Sequence, residues 1–231
     1  MVVHLVELFH SQRREHLGAT MKTVVLVSGQ MRTADQCAAG IRELYPDVPF
    51  VVHAVADEDA EKAFLFRPAV TVIEPQREMP ERREYSIQIG RGCHGVQRVL
   101  KQLWGLRRVW QVFEASGIEA DCVVRCRADL AFSVPPEPFE GTGWRVPTFC
   151  NWFGFNDRFA FGDLPAMRRY FTRLDRLDEY IDAGGMFHPE TFLGWAMRGV
   201  PAESTRAVFA TVRADGTRDE PQWFANAGDI P

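Results

Sequence analysis

Arg125, Arg127 and Asp129 stand two residues apart in the segment VVRCRADLAF, Val123 to Phe132. The apolar flanks suit a buried strand, yet taking a charge out of water is costly unless it is paired. Residues two apart on a strand face the same side. Alternation therefore sets the three charged groups in a row, roughly 7 Å between neighbours. Cys122, Val124, Cys126, Ala128 and Leu130 fall on the other face. One aspartate does not neutralise two guanidinium groups. Either carboxylates from neighbouring strands complete an internal ion-pair network, or the surplus meets a phosphate-bearing ligand, whose oxygens match an arginine fork. In the second case Asp129 is also the place for a metal ion.

Other segments carry groups of the same kind. SGQMRT, Ser28 to Thr33, follows the first apolar run; Gly29 permits a tight turn, and Gln30 and Arg32 offer donors to a base or a phosphate. A polar loop at a strand end needs no ligand to explain it. In FNDRFAF, Phe155 to Phe161, the residues Asn156, Asp157 and Arg158 interrupt an aromatic strand. Asp157 would add a second carboxylate near Asp129, or Asn-Asp marks a turn between strands. His188-Pro189-Glu190 opens a helix, and both Pro189 and Glu190 are ordinary start signals. The competing reading makes Glu190 an acid or base beside a substrate hydroxyl. His53 and His94 could serve as ligands or bases, but lone histidines are more often structural.

Gly90, Gly92 and Gly95 satisfy G-x-G-x-x-G ahead of a helix. A dinucleotide site wants that motif directly after the first strand, with an acid ending the next one. Here Asp121 begins the next strand, so NAD binding is the weakest of three readings. A glycine loop closing on a ligand, with the helix start as an anion site, and plain loop flexibility are the others. No H-E-x-x-H, P-loop or Ser-His-Asp pattern is present, which disfavours zinc hydrolysis, P-loop chemistry and nucleophilic hydrolysis.

Strands and helices must position these residues. Apolar runs at Thr23–Ser28, Pro49–Val55 and Ala69–Ile73 read as strands, with a helix over Thr33–Leu44 and a short one around Asp57–Phe64. Apolar residues at steps of three and four make His94 to Glu114 the strongest helix, and the strand Asp121–Phe132 follows. Trp144–Pro147, Phe155–Phe161 and Ala207–Val212 complete the strands. Helices are expected at Leu164–Tyr180 and Pro189–Arg198. This order predicts an α/β fold with a mixed, mainly parallel sheet flanked by helices.

The 231 residues, 46% hydrophobic, suit a single large domain. A net charge of −4 argues against general binding to nucleic acid or acidic membranes, although a local basic patch is compatible with it. No apolar run approaches the ~18 residues of a membrane span. The expected location is the cytoplasm, beside a membrane where acceptors are assembled. Residues 1–20 lack signal-peptide features, and Met21 directly precedes the first strand. They are expected to be an N-terminal extension, disordered or not native, ahead of one domain over 21–231. The five cysteines are odd in number and irregularly spaced, which points to reduced, buried thiols.

Taken in order, SGQMRT, QLWGLRRVWQVF, DCVVRCRADLAF, FNDRFAFG and HPETFLGWAMRG resemble nucleotide-sugar glycosyltransferases of the GT-A type. The likeness is greatest to the WavE-like lipopolysaccharide and capsule synthesis proteins and covers roughly Thr23 to Val200. The resemblance implies a GT-A fold and transfer of a sugar from a nucleotide-sugar donor to a glycan, lipid-linked or other acceptor. Ser28, Gly29, Gln30 and Arg32 would contact the nucleotide. The usual D-x-D metal site reads Arg127-Ala128-Asp129 here, so manganese or magnesium would rest on Asp129, or Arg127 with Arg125 would neutralise the diphosphate. Glu190, or else Asp157, would take the acceptor proton, and Asp157 would line the sugar pocket or complete a metal site. A domain of this shape that binds a nucleotide or glycan without catalysis is the alternative.

Overall fold

A computed structural model describes residues 2–5, 21–89 and 95–221 of the chain. Gly90, Gly92, Cys93, His94 and Trp223 lie outside the described residues. The first strand, β1 (Val2–Leu5), pairs antiparallel with Val70–Ile73 at one sheet edge, so part of the expected N-terminal extension belongs to the sheet.

The unbroken apolar runs form the middle of that sheet. β2 (Thr23–Gly29), β3 (Phe50–Val55), β4 (Val70–Glu74) and β5 (Cys122–Cys126) are parallel neighbours in the spatial order β4-β3-β2-β5. A parallel strand is covered on both faces and needs no polar side. Alternation still sorts its residues. Val25 and Val27 join the core under helix α1 (Ala34–Leu44). Val24 and Leu26 join a second core on the opposite face.

The expected strand Asp121–Phe132 is two strands. β5 ends at Cys126, and β6 (Leu130–Val134) starts a smaller antiparallel sheet. The break lies at Arg127–Asp129, where the two charged side chains pair with each other. That contact suits a turn and not two residues separated along an extended strand. The inward face reads as predicted: Cys122, Val124, Cys126, Ala128 and Leu130 all lie in the first core.

Helix α2 (Arg83–Ile87) is short, and α3 (Val96–Ser116) is the long amphipathic helix. Its buried Leu106, Val109, Trp110 and Phe113 pack on the second core, while Val99, Leu100 and Leu103 join a third. The large sheet continues with β7 (Trp144–Val146) and β8 (Phe159–Asp163): β8 pairs antiparallel with both β5 and β7, and β9 (Ala202–Ser204) adds an edge parallel to β7. Asn156, Asp157 and Arg158 precede β8 as a bend, so the turn reading of Asn-Asp holds. The helix expected over Leu164–Tyr180 is interrupted: α4 (Leu164–Phe171), a 3-10 turn at Arg173–Arg176, then α5 (Leu177–Asp182). Helix α6 (Pro189–Ala196) begins where Pro189 predicts. β10 (Val208–Val212) and β11 (Arg218–Asp219) complete the small sheet. The fold is a single α/β domain with a mixed, mostly parallel sheet between helices. Cys37, Cys122, Cys126 and Cys150 are buried free thiols.

Candidate active site at the sheet switch point

From β2 the chain builds β3 and β4 to one side and later places β5 on the other. Connections leaving the carboxyl ends of β2 and β5 diverge, and a crevice opens where they part. A cavity of about 1050 Å³ occupies this place. Ser28, Gly29, Gln30 and Arg32 line it from the end of β2; Arg125, Arg127 and Asp129 line it from β5 and its turn. Gly29 turns the chain at φ +122°, a conformation costly for any side chain. Two segments a hundred residues apart thus meet because their strands are neighbours, Val27 opposite Cys126.

The cavity wall is strongly cationic. Arg32, Arg98, Lys101, Arg125, Arg127 and Arg213 face it, against Glu81 and Asp129. Lys101 is paired outward with Glu78 at 2.5 Å and Arg213 with Asp219, but the excess persists. Arg125 is the extreme case. It is 2% exposed, and the bond it makes runs from Nη1 to the carbonyl of Cys126 at 2.8 Å. Its Nε is buried without a partner, and no carboxylate lies within ion-pair distance among the described residues. Burial pushes its pKa down, as expected for a cation held away from water.

Arg127 is held differently. Its Nε donates to Oδ1 of Asp129 at 2.8 Å and its Nη2 to Oδ2 at 2.5 Å, a two-pronged bond. Burial alone would raise the Asp129 pKa, but the Arg127 charge overrides it and holds the carboxyl below its usual range. Asp129 also anchors the small sheet through Val212, whose N–H donates to its carbonyl at 2.8 Å.

Asp157 and Glu190 are both buried, and the charge of Asp157 acts on Glu190. Asp157 stands just before β8, which pairs with β5 so that Phe159 opposes Cys126. Asp157 is 3% exposed, and Gln102 of α3 donates to its carboxylate. Tyr170 donates to its carbonyl at 2.8 Å. Glu190 arrives with the start of α6, where the Phe155 N–H donates to its carbonyl at 3.2 Å. Gly154 allows this approach, since a Cβ there would sit 1.8 Å from that carbonyl oxygen. Burial, and next the Asp157 charge, push the Glu190 carboxyl up to about 8. Its Oε2 lies 3.2 Å from Nδ1 of His188, which burial keeps neutral. Neither Asp157 nor Glu190 lines the cavity. Of the two expected neighbours, Asp129 lines the cavity and Asp157 does not, and both act on the charge of Arg127.

Several lining residues went unread in the sequence. Arg98, Lys101, Gln102 and Gly105 recur at steps of three and four along α3, and all four line the cavity. That stripe is legible, but a solvated helix face has the same pattern. His53 is fully buried in the wall with its ring edge-on to Trp104 at 5.2 Å. Its Nε2 lies 3.1 Å from Oε1 of Glu74, and burial takes its pKa down to about 4, so the ring is neutral.

A metal at Asp129 does not fit this arrangement. Both carboxylate oxygens are engaged by Arg127. Among the described residues no group of three or more His, Cys, Asp or Glu side chains could hold a metal ion. No described helix is long and apolar enough to cross a membrane.

No family model and no curated protein matches the chain. Among solved structures it is similar to a glycosyltransferase involved in the glycosylation of the major capsid of PBCV-1, at 8% identity and a TM-score of 0.38, over 68% of this chain and 67% of that one. It is also similar to the glycosyltransferase GlyE of Streptococcus pneumoniae TIGR4, at 11% identity and a TM-score of 0.40. That match covers 79% of this chain, which spans 45% of GlyE's length.

Proposed function

We propose that the chain is a glycosyltransferase that moves a sugar from a nucleotide-sugar donor to a glycan or lipid-linked acceptor. The observation that carries this reading is Arg125, a guanidinium buried without a carboxylate at the wall of a cation-rich cavity. A protein keeps such a group at a cost unless an anion completes it. The volume exceeds the range of about 300–1,000 Å³ usual for small-molecule sites and suits a nucleotide together with a sugar.

In this reading Ser28, Gly29, Gln30 and Arg32 hold the nucleoside side, as the resemblance to GT-A enzymes implies. Arg125 and Arg127 stabilise the charge that develops on the diphosphate as the glycosidic bond breaks. Asp157 holds Gln102, which lines the cavity, and Glu190 or else Asp157 is the candidate to take the acceptor proton.

A thermal-shift panel of UDP-, GDP- and CMP-sugars and NAD, followed by donor hydrolysis assays, tests the proposal. Stabilisation by one sugar nucleotide with slow donor hydrolysis is expected. A response to NAD alone, or to no nucleotide, would sink it. Binding without any turnover, with or without added acceptors, would favour the non-catalytic binding module.

A further inference from the structure

The cavity has the charge to hold a diphosphate but lacks the ligands to hold a metal. We infer that it binds a nucleotide's diphosphate through guanidinium groups with no bridging divalent cation, and that Asp129 is a positioning residue that competes with the ligand for Arg127. This rests on the nucleotide-sugar reading above and narrows it.

Three observations carry it. Both oxygens of Asp129 are tied to a cation already, since Oδ1 takes the Nε–H of Arg127 and Oδ2 takes the Nη2–H. A hard cation that bridges a diphosphate is held by one or two protein carboxylates beside the phosphate oxygens, and the carboxylate here is already charge-paired. No second acid comes to its aid: Glu81 accepts from Gln97 at 2.6 Å, and neither Asp157 nor Glu190 lines the cavity. The neutralising charge is already present in the wall. With Lys101 and Arg213 paired outward, Arg32, Arg98, Arg125 and Arg127 face Glu81 and Asp129. That surplus has the sign and size a diphosphate offsets.

The pairing also gives Asp129 a role. It holds the Arg127 fork planar and oriented before the ligand arrives, so less freedom is lost on binding. An arriving diphosphate shares that fork, and the carboxylate then opposes it as a neighbouring like charge. Removing the carboxylate charge while keeping an acceptor oxygen for the fork, as in Asp129→Asn, should tighten binding. A metal ligand would behave in the opposite way.

Isothermal titration calorimetry of the whole chain with UDP, GDP and CDP, in excess EDTA and in Mn²⁺ at matched ionic strength, decides the matter. At least one nucleotide is expected to bind with affinities within about threefold in the two buffers. Asp129→Asn is expected to bind it roughly three- to tenfold more tightly in EDTA, and Arg127→Gln at least about tenfold more weakly. Binding by the unmodified chain that appears only with Mn²⁺ overturns the inference and leaves the glycosyltransferase reading standing. Loss of binding in a folded Asp129→Asn protein does the same. Failure of all three nucleotides in both buffers defeats the reading itself. The two-buffer comparison needs no variant, so it stands even where a substitution does not fold.

Discussion

Arg125 separates binding from stability more sharply than any other side chain. Replacing a buried charge that lacks a partner by an apolar group of similar length is often neutral or stabilising. Arg125→Met should therefore leave the melting temperature unchanged or higher and weaken sugar-nucleotide binding by about 10–100-fold, the size of a lost charge-assisted bond. A variant that both melts early and keeps its affinity would mean the guanidinium serves the fold. Glu190 gives a pH signature. The folded chain holds this proton up to about pH 8, whereas the unfolded chain releases it near the ordinary 4.5. The folded state thus binds more protons across that window, and stability falls as pH rises from about 4.5 to about 8. Glu190→Gln keeps an uncharged side chain at every pH. Its denaturation midpoints should show a flatter pH dependence than the parent's over the same window, and equal slopes would contradict the buried-acid assignment.

Among the elements, α3 carries two functions on opposite faces. Leu106 is fully buried in the core, and Leu106→Ala should cost about 2–5 kcal/mol in chemical denaturation. Arg98 lines the cavity, and Arg98→Ala should weaken anion binding while changing stability by less than about 0.5 kcal/mol. The contact between the 150–154 loop and α6 depends on a missing side chain. Gly154→Ala would drive a Cβ into the Glu190 carbonyl, backbone against backbone, so it should lower the melting temperature measurably. Gly105→Ala is the control, because its nearest neighbours, His53 and Ser28, stand at 3.9 Å. The same elements show what patterning could reach. Unbroken Val-Leu runs declared β2 and β3, and three-four spacing declared α3. The strand break at Arg127–Asp129 was not visible, because alternation continues through RCRADL and only a side-chain pair marks the turn.

The whole molecule is acidic, with a net charge of −4, yet its large cavity is cationic. Opposite signs on surface and crevice make anion capture local and sensitive to screening. As the Debye length shrinks from about 10 Å at 0.1 M to about 3 Å at 1 M salt, nucleotide affinity should fall by an order of magnitude or so. A titration series in NaCl that stays flat would show that the guanidinium groups do not hold the ligand.

The sequence by itself determined the α/β class, the buried faces of the central strands, the long helix and the suspicion that Arg125, Arg127 and Asp129 mark a site. Each of these is written in local periodicity or in a local imbalance of charge. Tertiary structure alone decided that the end of β2 meets the end of β5, that both oxygens of Asp129 bond Arg127, and that Asp157 and Glu190 do not line the cavity. Those outcomes depend on strand order and on partners far apart along the chain, and neither hydrophobic spacing nor residue type encodes which strand will lie beside which.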